Sequence, residues 1–168
     1  MEELLKQSNV DPFYQYQYKY QYCLVDSGDL TLTVNRFKNK ELGFFIDQRE
    51  NRKLLGHYSK GMKVLNVFSY TGGFSIYAMK AGAKEVHSLD SSARALEVCE
   101  ENVALNSLNI DEHKSLQEEA VAYLKSDLSE YDIIILDPPA FAKRASARHA
   151  AVQGYKRINL RAIESMKP

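Results

Sequence analysis

The sequence carries no net charge and has no long apolar run. Its 22 basic and 22 acidic residues balance, which argues against a chain that binds nucleic acid through bulk charge alone but leaves room for a basic patch. A run of about 18 apolar residues would predict a membrane-spanning helix, and none is present. The acidic start Met-Glu-Glu has no apolar segment after it, so no secretory signal is expected.

Cysteine, glycine and proline are also scarce. Cys23 and Cys99 fall in unrelated local patterns, which favours a cytoplasmic protein with reduced thiols, each packed as a small hydrophobic group. Eight glycines and four prolines, with 45% hydrophobic residues, exclude a fibrous or disordered chain. The composition therefore predicts one soluble globular core.

Charge is unevenly distributed along this neutral chain. Residues 97–132 hold ten acidic and two basic residues, a net charge of −8, whereas residues 141–168 hold seven basic and one acidic residue, a net charge of +6. Such asymmetry predicts a face for an anionic partner, with a solvated helix surface as an equally good alternative.

The first forty residues read as a β-hairpin segment. Tyrosine occupies every second position from Tyr14 to Tyr22, which places the five rings on one side of a strand. A turn signal at 27–29 precedes a second alternating run, Leu30 to Val34. The tyrosine face could stack on unpaired bases, but a strand covering a core or a partner domain is the more common use of this pattern.

Strands and helices alternate after residue 45. We expect strands at 63–67, 85–90, about 112–116 and 132–136, and the last of these is apolar on both faces, as in a parallel sheet. Helices are expected at 74–81, after a cap at Ser91 or Ser92, at 118–126 and at about 151–166. This order predicts an α/β fold with right-handed crossovers, in residues 41–168.

The turn after the first of these strands predicts a ligand site. Adjacent glycines, Gly72 and Gly73, let a backbone approach a ligand closely, and the helix behind them offers free N–H groups. Asp90 lies at the end of the next strand, where a carboxylate can accept both hydroxyls of a ribose. The turn lacks G-x-G-x-x-G and the P-loop pattern, so an adenosine-type ligand is favoured over a dinucleotide, and a P-loop is excluded.

The motif Asp137-Pro138-Pro139-Ala140-Phe141 follows the last strand directly. Two prolines remove N–H donors and stiffen the backbone. Asp137 and a backbone carbonyl then become fixed acceptors, which suit the amino edge of a base. A simple stiff turn is the alternative.

These motifs together resemble class I S-adenosylmethionine-dependent methyltransferases. The resemblance is closest to the large-subunit ribosomal RNA cytosine-5 methyltransferases that usually carry an N-terminal PUA domain, and the guanine-N7 enzymes of the same RNA look similar, so the base stays open. It covers about residues 41–168 and rests on the stretches 43–52, 66–74, 89–91, 102–106 and 137–141.

The resemblance implies S-adenosylmethionine as cofactor and ribosomal RNA as partner. It implies that Asp90 takes the ribose hydroxyls, that Ser91 borders the adenine, and that Glu119 stands where relatives carry an aspartate for the adenine amino group. Arg49, with Asp47, would close over the cofactor or else brace the hairpin. Asp137 and the Pro138 carbonyl would hold the base edge. The residues expected to wrap the methionine part are Asn66, Phe68, Tyr70, Thr71, Gly72 and Gly73.

The chain departs from this family in two respects. No PUA-sized segment precedes residue 1, and the sequence stops where relatives continue into the strand that bears a nucleophilic cysteine. We therefore expect an incomplete Rossmann-like sheet whose last strand is a bare edge, covered by a neighbouring copy in a homodimer. Two other classes stay open, namely a nicotinamide-linked oxidoreductase, which Asp90 also fits, and a non-catalytic module that binds cofactor or RNA.

Overall fold

The computed structural model describes residues 21–26, 31–36, 46–142 and 144–166. Near the N-terminus, β1 (Gln21–Asp26) and β2 (Thr31–Arg36) form an antiparallel pair in which Gln21 lies opposite Arg36. The predicted hairpin is thus present over these spans, whereas Tyr14 to Tyr20 lie outside the described residues. The division of the chain at residue 40 stays a prediction.

A four-stranded parallel sheet forms the centre of the remaining chain, which confirms the predicted α/β class. Its strands are β3 (Lys63–Val67), β4 (Glu85–Asp90), β5 (His113–Gln117) and β6 (Ile133–Leu136), in the order β5-β4-β3-β6. Each of the three neighbouring pairs is parallel and in register, as in Val67 beside Leu89 and Leu136. The carboxyl ends of β3, β4 and β6 therefore meet at one edge of the sheet.

Helices cover both faces of the sheet. They are α1 (Arg49–Ser59), α2 (Gly73–Lys80), α3 (Ala93–Leu105), α4 (Ala120–Tyr123) and α5 (Arg148–Ser165). Val64 and Val86 pack on one face with apolar residues of α1, α2 and α3. Leu65, Val67 and Leu89 pack on the other with α4 and α5. This alternation along β3 is what a strand buried on both faces requires.

Several predicted boundaries need correction. The helix expected at 118–126 is only four residues long, because Glu119 caps it and the chain from Leu124 continues in turns such as Ser126 N–H to the Tyr123 carbonyl. Helix α5 begins three residues before the predicted start, and β5 is shifted by one residue. Helix α1 was not predicted at all. In the part of the chain that the structure describes, no helix is long and apolar enough to cross a membrane.

Candidate functional site

The loop between β3 and α2 is built on an unusual backbone. Phe68 and Tyr70 have φ angles of 61° and 49°, and Gly72 has a φ of 81°. Left-handed backbone is uncommon for bulky side chains and clusters at functional sites. The Ser69 amide donates to the Leu89 carbonyl at 3.0 Å, which ties the loop to the end of β4.

Glycine is required at position 72 both by its left-handed backbone and by the close approach of Cys99. A Cβ added there would lie 2.3 Å from Cys99 Sγ, so only glycine lets the loop sit this close to helix α3. Asn102 of the same helix donates from Nδ2 to the Thr71 carbonyl at 2.9 Å. Thr71 and Asn102 are both buried. The glycine turn is therefore held from behind by α3, and its Gly72 Cα faces that helix.

Asp90 is joined to this loop through its carboxylate. Its Oδ2 accepts the Tyr70 N–H at 2.9 Å and its Oδ1 accepts the Ser92 N–H at 2.9 Å. The predicted proximity of Asp90 and the glycine turn is thus present in the structure. Ser91, exposed beside it, sits at the same edge, and Ser92 is the residue that caps α3, through the Ala95 N–H.

A small cavity of about 60 Å³ opens beside the loop. Phe68, Tyr70, Thr71 and Gly73 from the predicted set line it together with Asp137 at the end of β6, and Arg52, Ser69 and Phe74 complete the lining. Ser69 is 6% exposed, and its hydroxyl has no hydrogen-bond partner within the described ranges. A buried hydroxyl without a partner is costly unless something else satisfies it, which fits a polar ligand in this cavity.

Arg52 and Gln48 were missed by the sequence reasoning. Arg52 is 3% exposed, lies 5.8 Å from the Phe74 ring centre and 5.9 Å from that of Tyr77, and burial lowers its pKa. Gln48 Nε2 donates to Asp137 Oδ1 at 3.5 Å. The motif at 43–52 therefore does reach the site, but through Gln48 and Arg52. The only available signal was that both belong to that motif.

Arg49 lies away from the cavity. Its Nε pairs with Glu50 Oε1 at 3.1 Å, and both side chains are more than half exposed. The first turn of α1 directs Arg49 outward while Arg52, one turn later, is buried. Closure of Arg49 over a cofactor stays a prediction.

Asp137 has an environment that disfavours its charged form. Burial raises its pKa, the Asp47 carboxylate raises it further, and Arg52 opposes both. Pro138 follows it and is half-buried. The turn is held from the other side by Tyr155 of α5, whose hydroxyl accepts the Phe141 N–H at 3.3 Å and donates to the Pro139 carbonyl at 3.5 Å.

Asn66 and Glu119, both predicted site residues, do not line this cavity. Asn66 is 1% exposed and donates from Nδ2 to Ser75 Oγ at 2.9 Å, so it lies beneath the cavity rather than along its wall. Glu119 accepts the Val121 and Ala122 N–H groups at 3.1 and 2.8 Å as the cap of α4. It stands at the carboxyl end of β5 as predicted, with both oxygens engaged by the backbone.

A buried polar chain runs under the loop from helix α2 to strands β4 and β5. Ser75 Oγ lies 2.6 Å from Ser88 Oγ, which lies 2.8 Å from His113 Nε2. Burial lowers the pKa of His113 to about 4 and raises that of Cys99 to about 12. Cys99 is therefore a neutral packing residue at physiological pH, as predicted, and not a nucleophile. Within the described ranges, no group of three or more His, Cys, Asp or Glu residues could hold a metal ion.

The parallel sheet, the glycine turn and the acid at the end of the next strand are the features of an α/β domain with a candidate nucleoside site at its carboxyl edge. The family model for S-adenosylmethionine-dependent methyltransferases matches residues 19–168. The chain belongs to this S-adenosylmethionine-dependent methyltransferase family.

Individual relatives agree with this assignment. The chain is 38% identical over 149 residues to Ribosomal RNA large subunit methyltransferase I of Shewanella amazonensis, covering 86% of this chain and 37% of that protein. It is 44% identical over 124 residues to Ribosomal RNA large subunit methyltransferase of Deinococcus radiodurans, covering 72% and 30%. The chain thus spans about a third of the length of these relatives.

A solved structure shares the fold. It is a protein described as a methyltransferase and complexed with SAH, 26% identical, with a TM-score of 0.70 over 93% of this chain and 41% of that one. This chain and that protein therefore share the arrangement of the parallel sheet and its helices.

Proposed function

We propose that this domain binds S-adenosylmethionine across the carboxyl ends of β3 and β4, in an enzyme that methylates a base of large-subunit ribosomal RNA. The observation that supports this most strongly is the Asp90 carboxylate fixed beside the glycine turn by the Tyr70 N–H. The rRNA substrate is inferred from the relatives, since the S. amazonensis and D. radiodurans proteins are named for it.

The residues present fit this cofactor. Asp90 would take the ribose hydroxyls, the backbone from Phe68 to Gly73 would follow the methionine part, and the buried Ser69 hydroxyl offers an unsatisfied hydrogen-bonding group in the cavity. Arg52 supplies a buried positive charge facing the same space, suited to a carboxylate. S-adenosylmethionine supplies an electrophilic methyl group on its sulfonium.

The chain's own contribution to rate is positioning. Asp137 and the Pro138 carbonyl would accept hydrogen bonds from the amino edge of the base and hold its reacting atom in line with the methyl group. The stiff Pro138-Pro139 turn, fastened by Tyr155, keeps these acceptors in place. The base would leave its stack to reach them.

We favour cytosine C5 as the target atom, with guanine N7 as the alternative. Cytosine C5 is a weak nucleophile, and a thiolate that adds at C6 activates it. Cys99 is buried with its pKa raised to about 12, so it does not supply this thiolate. We place the nucleophile in the strand that relatives of this type carry beyond the position of residue 168.

We also propose that the outer edge of β6 is paired by a further strand, from the same protein or from a second copy. Ile133 to Leu136 are only half-buried although they are apolar, and an apolar strand edge favours such pairing. Sedimentation of the chain would show a dimer if a second copy covers this edge.

Titration calorimetry tests the central proposal. We expect saturable binding of S-adenosylmethionine and of S-adenosylhomocysteine, and none of NADH, which the nicotinamide alternative requires. Transfer of labelled methyl to large-subunit rRNA then separates an active enzyme from a cofactor-binding module. The proposal is overturned if neither S-adenosylmethionine nor S-adenosylhomocysteine binds.

A further inference from the structure

A second cavity, larger than the first, lies between helices α4 and α5 and the Asp-Pro-Pro turn. It has a volume of about 200 Å³, and its wall includes Val121, Phe141, Gly154, Arg157 and Ile158. The proposed cofactor and target base use none of these side chains. The lining combines an apolar floor with one aromatic ring and one guanidinium.

The Phe141 ring is held firmly at the mouth of this second cavity. The ring packs on Tyr155 with ring centres 4.5 Å apart and planes at 31°. The backbone N–H of Phe141 also donates to the Tyr155 hydroxyl. A Cβ at Gly154 would lie 3.0 Å from Phe141 Cδ2. Glycine weakens a helix interior, so α5 gives up some stability to let this ring lie against it. The ring is nevertheless 36% exposed.

Arg157 stands on the same wall and is exposed. No carboxylate of the described residues lies within ion-pair distance of it, whereas Arg161, one turn later, lies 3.6 Å from Glu164. The surrounding segment is basic. Between residues 144 and 166 the only acid is Glu164, and the other basic residues are Arg144, Arg148, Lys156 and Arg161. This surface therefore favours an anionic ligand.

A flat ring beside an exposed guanidinium is the combination that holds unpaired nucleobases. Aromatic side chains stack on a base irrespective of its identity, and a nearby arginine takes its phosphate. We propose that the second cavity receives an unpaired RNA base flanking the target nucleotide, stacked on Phe141 with its phosphate on Arg157. The inference rests on the proposed function, because the Asp-Pro-Pro turn that would hold the target base leads directly into Phe141.

The test is photo-crosslinking of the chain to a short single-stranded RNA that carries 4-thiouridine. We expect the crosslink to map by mass spectrometry to Phe141 or to residues 150–158. Phe141→Leu should reduce its yield at least fivefold, and Arg157→Gln at least twofold. Lys84→Gln removes one exposed charge before β4, at the opposite edge of the sheet, and should leave the yield unchanged.

Titration with S-adenosylmethionine on the same variants separates the two proposals. Normal cofactor binding by Phe141→Leu and Arg157→Gln together with the loss of crosslinking supports the second cavity as an RNA subsite. Crosslinks that map elsewhere, that are absent, or that are equal in all variants would overturn the subsite and leave the cavity to a peptide or to no ligand. If wild-type protein fails to bind S-adenosylmethionine but crosslinks at Phe141, the proposed function fails instead.

Discussion

The carboxylate of Asp90, the last residue of β4, accepts the backbone N–H of Tyr70, in the loop that follows β3, at 2.9 Å. The bond fastens a strained loop to the end of β4, and Tyr70 itself has a φ of 49°. The same carboxylate accepts the Ser92 N–H at the start of α3. Asp90 therefore joins the loop, the strand and the helix that together form the proposed cofactor site.

Replacing Asp90 by Asn should weaken cofactor binding strongly. The amide keeps one acceptor oxygen but loses the charge and the second acceptor, and a hydrogen bond to a charged group contributes about 1.5–3 kcal/mol. We expect the Kd for S-adenosylmethionine to rise at least tenfold by calorimetry. Asp111→Asn, on an exposed turn, is the matched control and should leave the Kd unchanged. Equal affinity of Asp90→Asn and wild type would remove Asp90 from the site.

Gly72→Ala should destabilise the fold through a clash with Cys99. Left-handed backbone costs a residue with a Cβ roughly 1–2 kcal/mol, and forcing an extra carbon into a packed site typically costs about 1–3 kcal/mol more. Gly61 provides the control, because it has a φ of 75° with nothing within 4 Å of an added Cβ. Urea unfolding should show Gly72→Ala to be the more destabilised of the two.

Adding Cys99→Ala to Gly72→Ala tests the cause of that difference. Removing the sulfur takes away the 2.3 Å contact but leaves Cys99 Cβ at 3.2 Å. We expect partial recovery, seen as a coupling of about 1 kcal/mol in a double-mutant cycle. Strictly additive effects would show that the packing of the loop on α3 does not limit this position.

The sequence predicted the elements whose patterns are local. Strands β3 and β6 are short apolar runs that end at a turn, and β4 ends where Ser92 caps the next helix. These strands and the edge at which they meet were therefore predictable, whereas the polar β5 gave a weaker pattern. Helix α1 was missed because its apolar face is interrupted by Arg52. That side chain is buried beside Phe74 and Tyr77 of α2, a contact between distant parts of the chain that no local pattern shows.

The short α4 illustrates the same limit. Residues 118–126 contain enough helix-forming residues for a longer helix, yet the chain turns after Tyr123 so that Leu124 and Leu128 can enter the core beneath β3 and β4. Tertiary burial overrides helix propensity here. Within the site, Gln48 and Arg52 were missed for the same reason, since their approach to Asp137 depends on how α1 packs.

Asp137→Asn should stabilise the fold slightly at neutral pH. The pKa of Asp137 is raised in the folded state, so ionisation disfavours folding once the pH exceeds the ordinary aspartate value. Asn removes this effect and keeps the oxygen that accepts from Gln48. Because the carboxyl is half-exposed, its effect is screened, and we expect a melting temperature about 2 °C higher. The difference should vanish near pH 3, where the unfolded and folded carboxyls are both largely neutral. A lower melting temperature for Asp137→Asn at pH 7 would contradict this.

The stability of the domain should fall between pH 6.5 and about 4 because of His113. Burial lowers its folded-state pKa to about 4, with Glu100 and His87 acting in opposite directions. In this window the unfolded histidine binds a proton that the folded one does not, so unfolding is favoured as the pH decreases, by up to about 1.4 kcal/mol per pH unit. Below pH 4 the contribution of His113 to the free energy of unfolding no longer changes with pH.

Urea midpoints measured across this pH range give the slope of stability against pH for wild type and for His113→Asn. The control is His57→Asn, whose side chain is exposed on α1. Because the carboxylates that titrate nearby are the same in all three proteins, a shallower slope for His113→Asn alone assigns the effect to the buried polar chain beneath the loop, and parallel slopes would exclude it.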